Sequence, residues 1–247
     1  MRTFKADLHI HTILSPCAGL EMSPKNIVRK ALENQLDIIG ITDHNSTRQC
    51  EIVFKEALKS GITVYTGVEI TTKEEIHCLA FFSNPFDLSN FQLILDDNLP
   101  VIKNDPLLFG YQVVVDENEN IIFEEEKLLI NALALGIEKI ESIVHQLNGL
   151  FIPAHIDKSK NSIISQLGFI PESIKADAFE VTKHVSNIDR ILEVNQLPAS
   201  TIILKNSDAH LPEEIGRCTS NLEMESTDFS EFCLALKNQL GRKVVLQ

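Results

Sequence analysis

Short apolar runs alternate with amphipathic helical stretches along most of this chain, and that alternation limits the fold more than any other feature. Strands are expected at Phe4–Ile10, Asp37–Thr42, Thr63–Thr71, Ile76–Phe82, Leu150–His155, Ala178–Val181 and Thr201–Ser207. Helical periodicity fills the gaps at about 24–35, 47–60, 87–96, 137–148, 162–168 and 187–196. The first helix opens on Ser23-Pro24, an N-cap followed by a residue whose fixed φ suits the first turn. Strands separated by helices pair in parallel through βαβ units. About seven such units favour a closed or distorted barrel over an open sheet, in one α/β domain spanning 1–247. Residues 97–130 break the rhythm. There Tyr111–Val115 and Ile121–Phe123 flank the acidic, Asn-containing run Asp116–Asn120, which reads as a hairpin in an insertion. The insertion is either decoration or a cap over the active site.

Six of the eight His fall at or near strand ends. His9 and His11 close the first strand two residues apart, so both project from the same side. His44 follows Asp43 after the second strand, Glu69 lies in the third and His77 in the fourth. His155 ends the next, and Asp208 and His210 repeat the two-residue spacing after the last long apolar run. In a parallel barrel these ends share one face, where barrel enzymes place their chemistry. Clustered carboxylates repel, and buried neutral imidazoles need partners. A divalent cation answers both costs. Mixed imidazole and carboxylate ligands suit zinc, manganese or iron alike. Glu69 or Asp208 can bridge two ions, and ions ~3.5–4 Å apart clamp the attacking and leaving oxygens of a phosphoryl displacement.

Charge narrows the partners. A formal charge of −13 argues against a broad phosphate-tracking surface, so extended nucleic acid is not expected. A small phosphorylated substrate remains compatible, because bound ions supply the positive field. The N-terminus has no apolar signal core, and no apolar run approaches the ~20 residues that span a bilayer. Cys17, Cys50, Cys78, Cys218 and Cys233 are scattered without paired spacing, which reads as a reducing, cytoplasmic location.

The motifs Asp7-Leu-His9-Ile-His11-Thr12, Thr42-Asp43-His44-Asn45, Gly67-Val-Glu69-Ile-Thr71 and Ser207-Asp208-Ala-His210 resemble, in that order, those of the PHP (polymerase and histidinol phosphatase) domain family. The likeness runs from residue 5 to about 217. It implies a distorted (β/α)7 TIM-like barrel with a trinuclear site. His9, His11, Glu69 and Asp208 would hold one ion, and Glu69, bridging, with His77 and His155 a second. His44 and His210 would hold the third. The pattern departs at Ser15-Pro16-Cys17, where relatives carry His or Asp: Cys17 is either a thiolate ligand or simply a small residue. Either two or three ions are therefore expected. Family members include histidinol-phosphate phosphatases, nucleotide phosphatases and domains of DNA polymerases. The chain looks most like the small-molecule phosphoesterases.

The mechanism expected is in-line attack on phosphorus by metal-bound hydroxide, with no Ser or Cys nucleophile. Arg217 is the candidate phosphate clamp, since a guanidinium grips phosphate bidentately, with Lys158 and Lys183 behind it. Asp7 and Asp43 are read as supports for the ligating His rather than ligands. Two other classes stay open: an amidohydrolase-type C–N hydrolase, and a metal-stabilised regulatory module without turnover.

Overall fold

The computed structural model describes residues 1–245. β1 (Arg2–Ile10) is buried over its last five residues, α1 (Pro24–Glu33) covers it, and β2 (Ile38–Ile41) is buried throughout. α2 (Cys50–Leu58) leads to β3 (Thr63–Thr71), and β1, β2 and β3 pair in parallel, as their helical connections require. β4 (His77–Phe82) does not follow that rule. Only residues 72–76 separate it from β3, too few for a crossover, so it turns back and pairs antiparallel. Its first residue, His77, therefore reaches the rim where the other strands end.

α3 (Pro85–Asn98) carries the chain into the insertion, which contains α4 (Pro106–Phe109), β5 (Val113–Val115) and β6 (Ile121–Glu124). β5 and β6 form an antiparallel hairpin, and Asp116 accepts the backbone N–H of Asn118 (2.8 Å) and Asn120 (2.9 Å) in its turn. α5 (Ile137–Gln146) returns to β7 (Leu150–Pro153), antiparallel to β4. After α6 (Ile163–Leu167) come β8 (Phe179–Val181), α7 (Ile188–Val194) and β9 (Ile203–Lys205), and β8 and β9 pair in parallel. β10 (Ser220–Met224), α8 (Phe229–Leu236) and β11 (Lys243–Val245) finish the described chain.

The result is a curled seven-stranded sheet, ordered β11-β10-β1-β2-β3-β4-β7, with the β8-β9 pair set into its open side. Scattered contacts join the two: Ile156 N–H donates to Glu180 O (2.8 Å), and Leu8 N–H to the Asn206 side chain (2.9 Å). This is a distorted barrel, half closed by a continuous ladder and half by loops.

The pairing of β1 with β2 slips between Asp7 and Ile10, a bulge that re-aims the side chains beyond it. Phe4, Ala6 and Leu8 join Ile38, Tyr65, Leu79, Phe81, Ile152 and Leu204 in the inner cluster, floored by Phe232 and Leu222. Ile10 instead packs outward with Ile27, Val28 and Val53 of α1 and α2. The slip lets Leu8 fill the barrel while His9 also faces the rim. At this crowded place a methyl group on Gly40 would lie 2.5 Å from Leu8 O. Gly40→Ala should therefore cost about 1–3 kcal/mol through forced backbone shifts. Thermal unfolding checks it, at roughly 2–4 °C per kcal/mol for a chain of this size.

Candidate metal centre

The rim gathers eight of the residues expected to bear on metal. His9 Nε2 lies 3.3 Å from both Glu69 Oε1 and Asp208 Oδ1, and His11 Nε2 lies 3.3 Å from Glu69 Oε2 and 3.4 Å from Asp208 Oδ1. On the far side of Glu69, His77 Nδ1 and His155 Nε2 approach Oε1 at 2.9 and 3.1 Å. His44 Nδ1 approaches Oε2 at 3.0 Å. His210 stacks on His11 with ring centroids 4.1 Å apart and faces His44 at 6.0 Å. Three groups have ligand atoms within 4.8 Å of one another: His9, His11, Glu69 and Asp208; His44, Glu69 and His77; and His11, His44 and His210.

The proton positions decide what such groups can hold. His9 Nδ1 lies 3.0 Å from both oxygens of Glu180, which only accept, so Nδ1 carries the proton and Nε2 presents its lone pair. Ser15 gives its hydroxyl proton to Asp43 (2.7 Å) and accepts from His11 Nδ1 (2.9 Å), so His11 Nε2 also presents a lone pair. Those two lone pairs meet at 3.2 Å among carboxylate oxygens. Buried His44 Nδ1, Glu69 Oε2 and His155 Nδ1 have no hydrogen-bond partner. So many buried acceptors facing one another repel, and cations among them remove the repulsion. The residues suit divalent ions.

The electrostatics agree. Burial opposes charge on His9, yet Glu180, Asp208 and Glu69 outweigh it and raise its pKa well above the imidazole range. Burial likewise opposes charge on Glu69, but His77, His9 and His44 hold its carboxyl well below its usual range. The field at the centre rewards positive charge. At the mouth, burial brings His44 down to about 4 and His210 to about 3, so both stay in the neutral form that ligates.

Supporting residues set the ligands. Asn161 holds His77 Nε2 at 2.9 Å. Asp43 accepts the Thr12 N–H at 2.7 Å, and Asp7 accepts those of Ser207 (3.0 Å) and Gly216 (2.7 Å), with burial pushing Asp7 up to about 6. Both carboxylates fasten loops and stand outside the three groups. His155 and Asp208 sit in left-handed backbone, with φ of 30° and 53°, a strain held by the bonds around them. Glu180 escaped the sequence reading. Its signal was a lone charge inside the apolar run Ala178–Val181, and the residue is 2% exposed.

Two expected residues do not join the cluster. Cys17 is exposed and belongs to none of the three groups. Arg217 is also exposed, and lines neither cavity beside the centre. Gly216, at φ +75° and packed toward Asn34 and Leu36, turns the chain to the α1 side just before it. Lysines stand there instead. A cavity of about 270 Å³ opens over His44, Glu69, His77 and His210, with Lys158 and Lys160 on its wall. A second, of about 380 Å³, adjoins it through His155, Lys158 and Asp208 and carries Lys183. Lys158 Nζ binds the outward Asp208 Oδ2. No residue of 97–130 lines either cavity; the insertion packs behind the rim, where Asn45 Nδ2 donates to Leu129 O (2.7 Å) and Asn131 O (2.9 Å).

The half-closed α/β barrel thus carries at one rim a ring of imidazoles and carboxylates suited to divalent ions. The chain belongs to the PHP domain family, whose model matches residues 7–197, and a PHP-associated model matches 203–239. The uncharacterized protein YqxK of Bacillus subtilis (strain 168) is 26% identical over 280 residues, covering 99% of this chain and 65% of YqxK. The lesion-specific endonuclease PfuEndoQ from Pyrococcus furiosus shares the fold at a TM-score of 0.75 and 21% identity, over 99% of this chain and 58% of that one. Endonuclease Q in complex with a 27-mer duplex bearing an abasic lesion at its active site gives 0.71 and 22%, over 98% and 58%. This chain thus spans less than two thirds of the length of these relatives.

Zinc or manganese should raise the unfolding temperature and a chelator should lower it, since an ion that binds only the folded state stabilises it by mass action. Glu69→Gln should abolish most of that shift. Glu180→Gln should weaken metal binding roughly 10–100-fold, the usual cost of losing a ligand's outer partner, as read by calorimetric titration.

Proposed function

We propose that this chain hydrolyses phosphodiester bonds of nucleic acid, with water as the nucleophile. The observation that carries the reading is a set of ligand groups sharing Glu69 and His11 beneath lysine-walled cavities. His9, His11, Glu69 and Asp208 would hold one ion. Glu69 and His77 would hold a second, with His155, which stands outside the three groups but lies 3.1 Å from Glu69, joining them. His44 and His210 with His11 would hold a third. Zinc, manganese and iron all suit these donors. When bound, such ions make water nucleophilic near neutral pH and neutralise phosphoryl oxygens.

The chain's own residues do the rest. Glu180 keeps the His9 proton on Nδ1, and Ser15 with Asp43 does the same for His11. Lys158 neutralises the outward oxygen of Asp208 and stands at the junction of both cavities, within reach of a phosphate entering either. It replaces Arg217 as the candidate clamp. Residues 7–197 and 203–239 are read as one catalytic unit, because β10 and β11 extend the sheet that carries β1.

Nucleic acid is preferred over a small metabolite because the fold likeness to endonuclease Q runs through almost the entire chain. The net charge of −13 and the modest cavities favour the second reading, a small phosphorylated metabolite or nucleotide. Metal-reconstituted protein decides between them when offered single- and double-stranded oligonucleotides, with and without an abasic site, beside a panel of phosphomonoesters. Strand cleavage is expected. Phosphate release from monoesters alone would establish the second reading, and hydrolysis of neither would remove both. Lys158→Met should lower kcat/KM roughly 100-fold, the scale of losing one preorganised charge contact, with Lys158→Arg recovering part of it. Arg217→Ala should stay within about twofold of the parent.

A further inference from the structure

The larger cavity lies beside the ligand cluster, not over it. Its walls are the loops after three strands: Asp157–Ser159 after β7, Thr182–His184 after β8 and Asn206–Asp208 after β9. The first two are pinned together, since Asp157 accepts the Thr182 N–H at 2.8 Å and its hydroxyl at 2.5 Å. The space is therefore built into the fold.

Every carboxylate on its surface is already engaged. Thr182 satisfies Asp157, and Lys158 satisfies the outward oxygen of Asp208. Glu180 accepts from Asn206 at 2.8 Å and from the His155 N–H at 2.9 Å, besides its contact with His9. The donors facing this space are not engaged in the same way. Among the described residues, the Lys183 ammonium and the His184 ring have no hydrogen-bond or ion-pair partner, and both residues are exposed. Three carboxylates and two lysines line this cavity, but the carboxylates are engaged, and the free groups left at its edge, Lys183 and His184, are donors.

The lining is mostly polar. Val181 is its single apolar side chain, and no Phe, Tyr or Trp contributes, so the only rings a base could meet are the imidazoles of His155 and His184. Hydroxyls of Ser159 and Ser207 add polar partners. Free donors with hydroxyls beside them fit phosphate and sugar oxygens.

We infer that this side cavity is a phosphate subsite, which takes the phosphodiester adjoining the scissile one and holds it with Lys183, His184 and Lys158. This inference rests on the nucleic-acid reading above. It goes further by requiring a substrate with two consecutive backbone phosphates.

The test uses the metal-reconstituted full chain and short oligonucleotides in which one phosphate beside the cut is replaced by an uncharged methylphosphonate. In the parent, the replacement should lower kcat/KM roughly tenfold at one neighbouring position, as loss of a charge-assisted contact would. In Lys183→Ala the same replacement should cost under about threefold, because the partner is already gone, whereas Lys183→Arg should keep the penalty. Binding of the unmodified oligonucleotide by the variant should show a log K against log salt slope shallower by about one. Lys183 has no partner in the fold, so the substitution leaves folding intact. An equal methylphosphonate penalty in parent and Lys183→Ala, with an unchanged salt slope, overturns the subsite while leaving the phosphodiesterase reading standing. A parent that releases phosphate from monoesters but cuts no oligonucleotide overturns both.

Discussion

Glu69 is the point on which the architecture turns. Four imidazoles, from His9, His44, His77 and His155, approach its oxygens within 3.3 Å, and His11 Nε2 joins them at 3.3 Å. A buried carboxylate with the lone pairs of His9 and His11 turned toward it is costly in an apolar interior unless positive charge stands among them. Protons or metal ions must meet that demand. The outer partners decide which of them suits the site, because Glu180 and Ser15 direct the ring protons of His9 and His11 away from the centre. A ring whose only proton points outward is a ligand in waiting.

The barrel accommodates this demand by giving up regularity. A bulge in β1 turns both Leu8 and His9 inward, and β4 runs backward so that His77 starts a strand where its neighbours end one. His155 and Asp208 take left-handed backbone at the same rim. Strained positions gather where ligands must converge from different strands, and the apolar clusters on both faces of the sheet supply the stability that holds them.

Much of this was legible in the residues. The apolar runs marked β1, β3, β4 and β7, and the His and Glu in or beside them, with Asp208 after β9, marked the rim, since strand ends in an α/β barrel share a face. What could not be read was set by geometry rather than type. Uniform parallel pairing failed at β4 because five residues cannot cross over. β10 reads Ser-Asn-Leu-Glu-Met, too polar to announce a strand, and forms because β1 offers it an edge. Arg217 looked well placed by distance along the chain, but it is exposed and lines neither cavity beside the centre. Glu180 carried a signal that went unused: a single charge in a buried strand needs a partner, and here the partner is His9.

Asn45 has a mechanical consequence. Its amide nitrogen grips Leu129 O and Asn131 O at the end of the insertion, its oxygen takes the Thr71 N–H at 3.0 Å, and its own backbone N–H reaches Glu69 O at 2.8 Å. His44 is its immediate neighbour. The hairpin strand β6 is exposed along all four residues, while its partner β5 is buried and fastened to Gln49 through Val115. One small side chain therefore ties three separate segments together: the end of the insertion, the strand that carries Glu69, and the loop that carries His44.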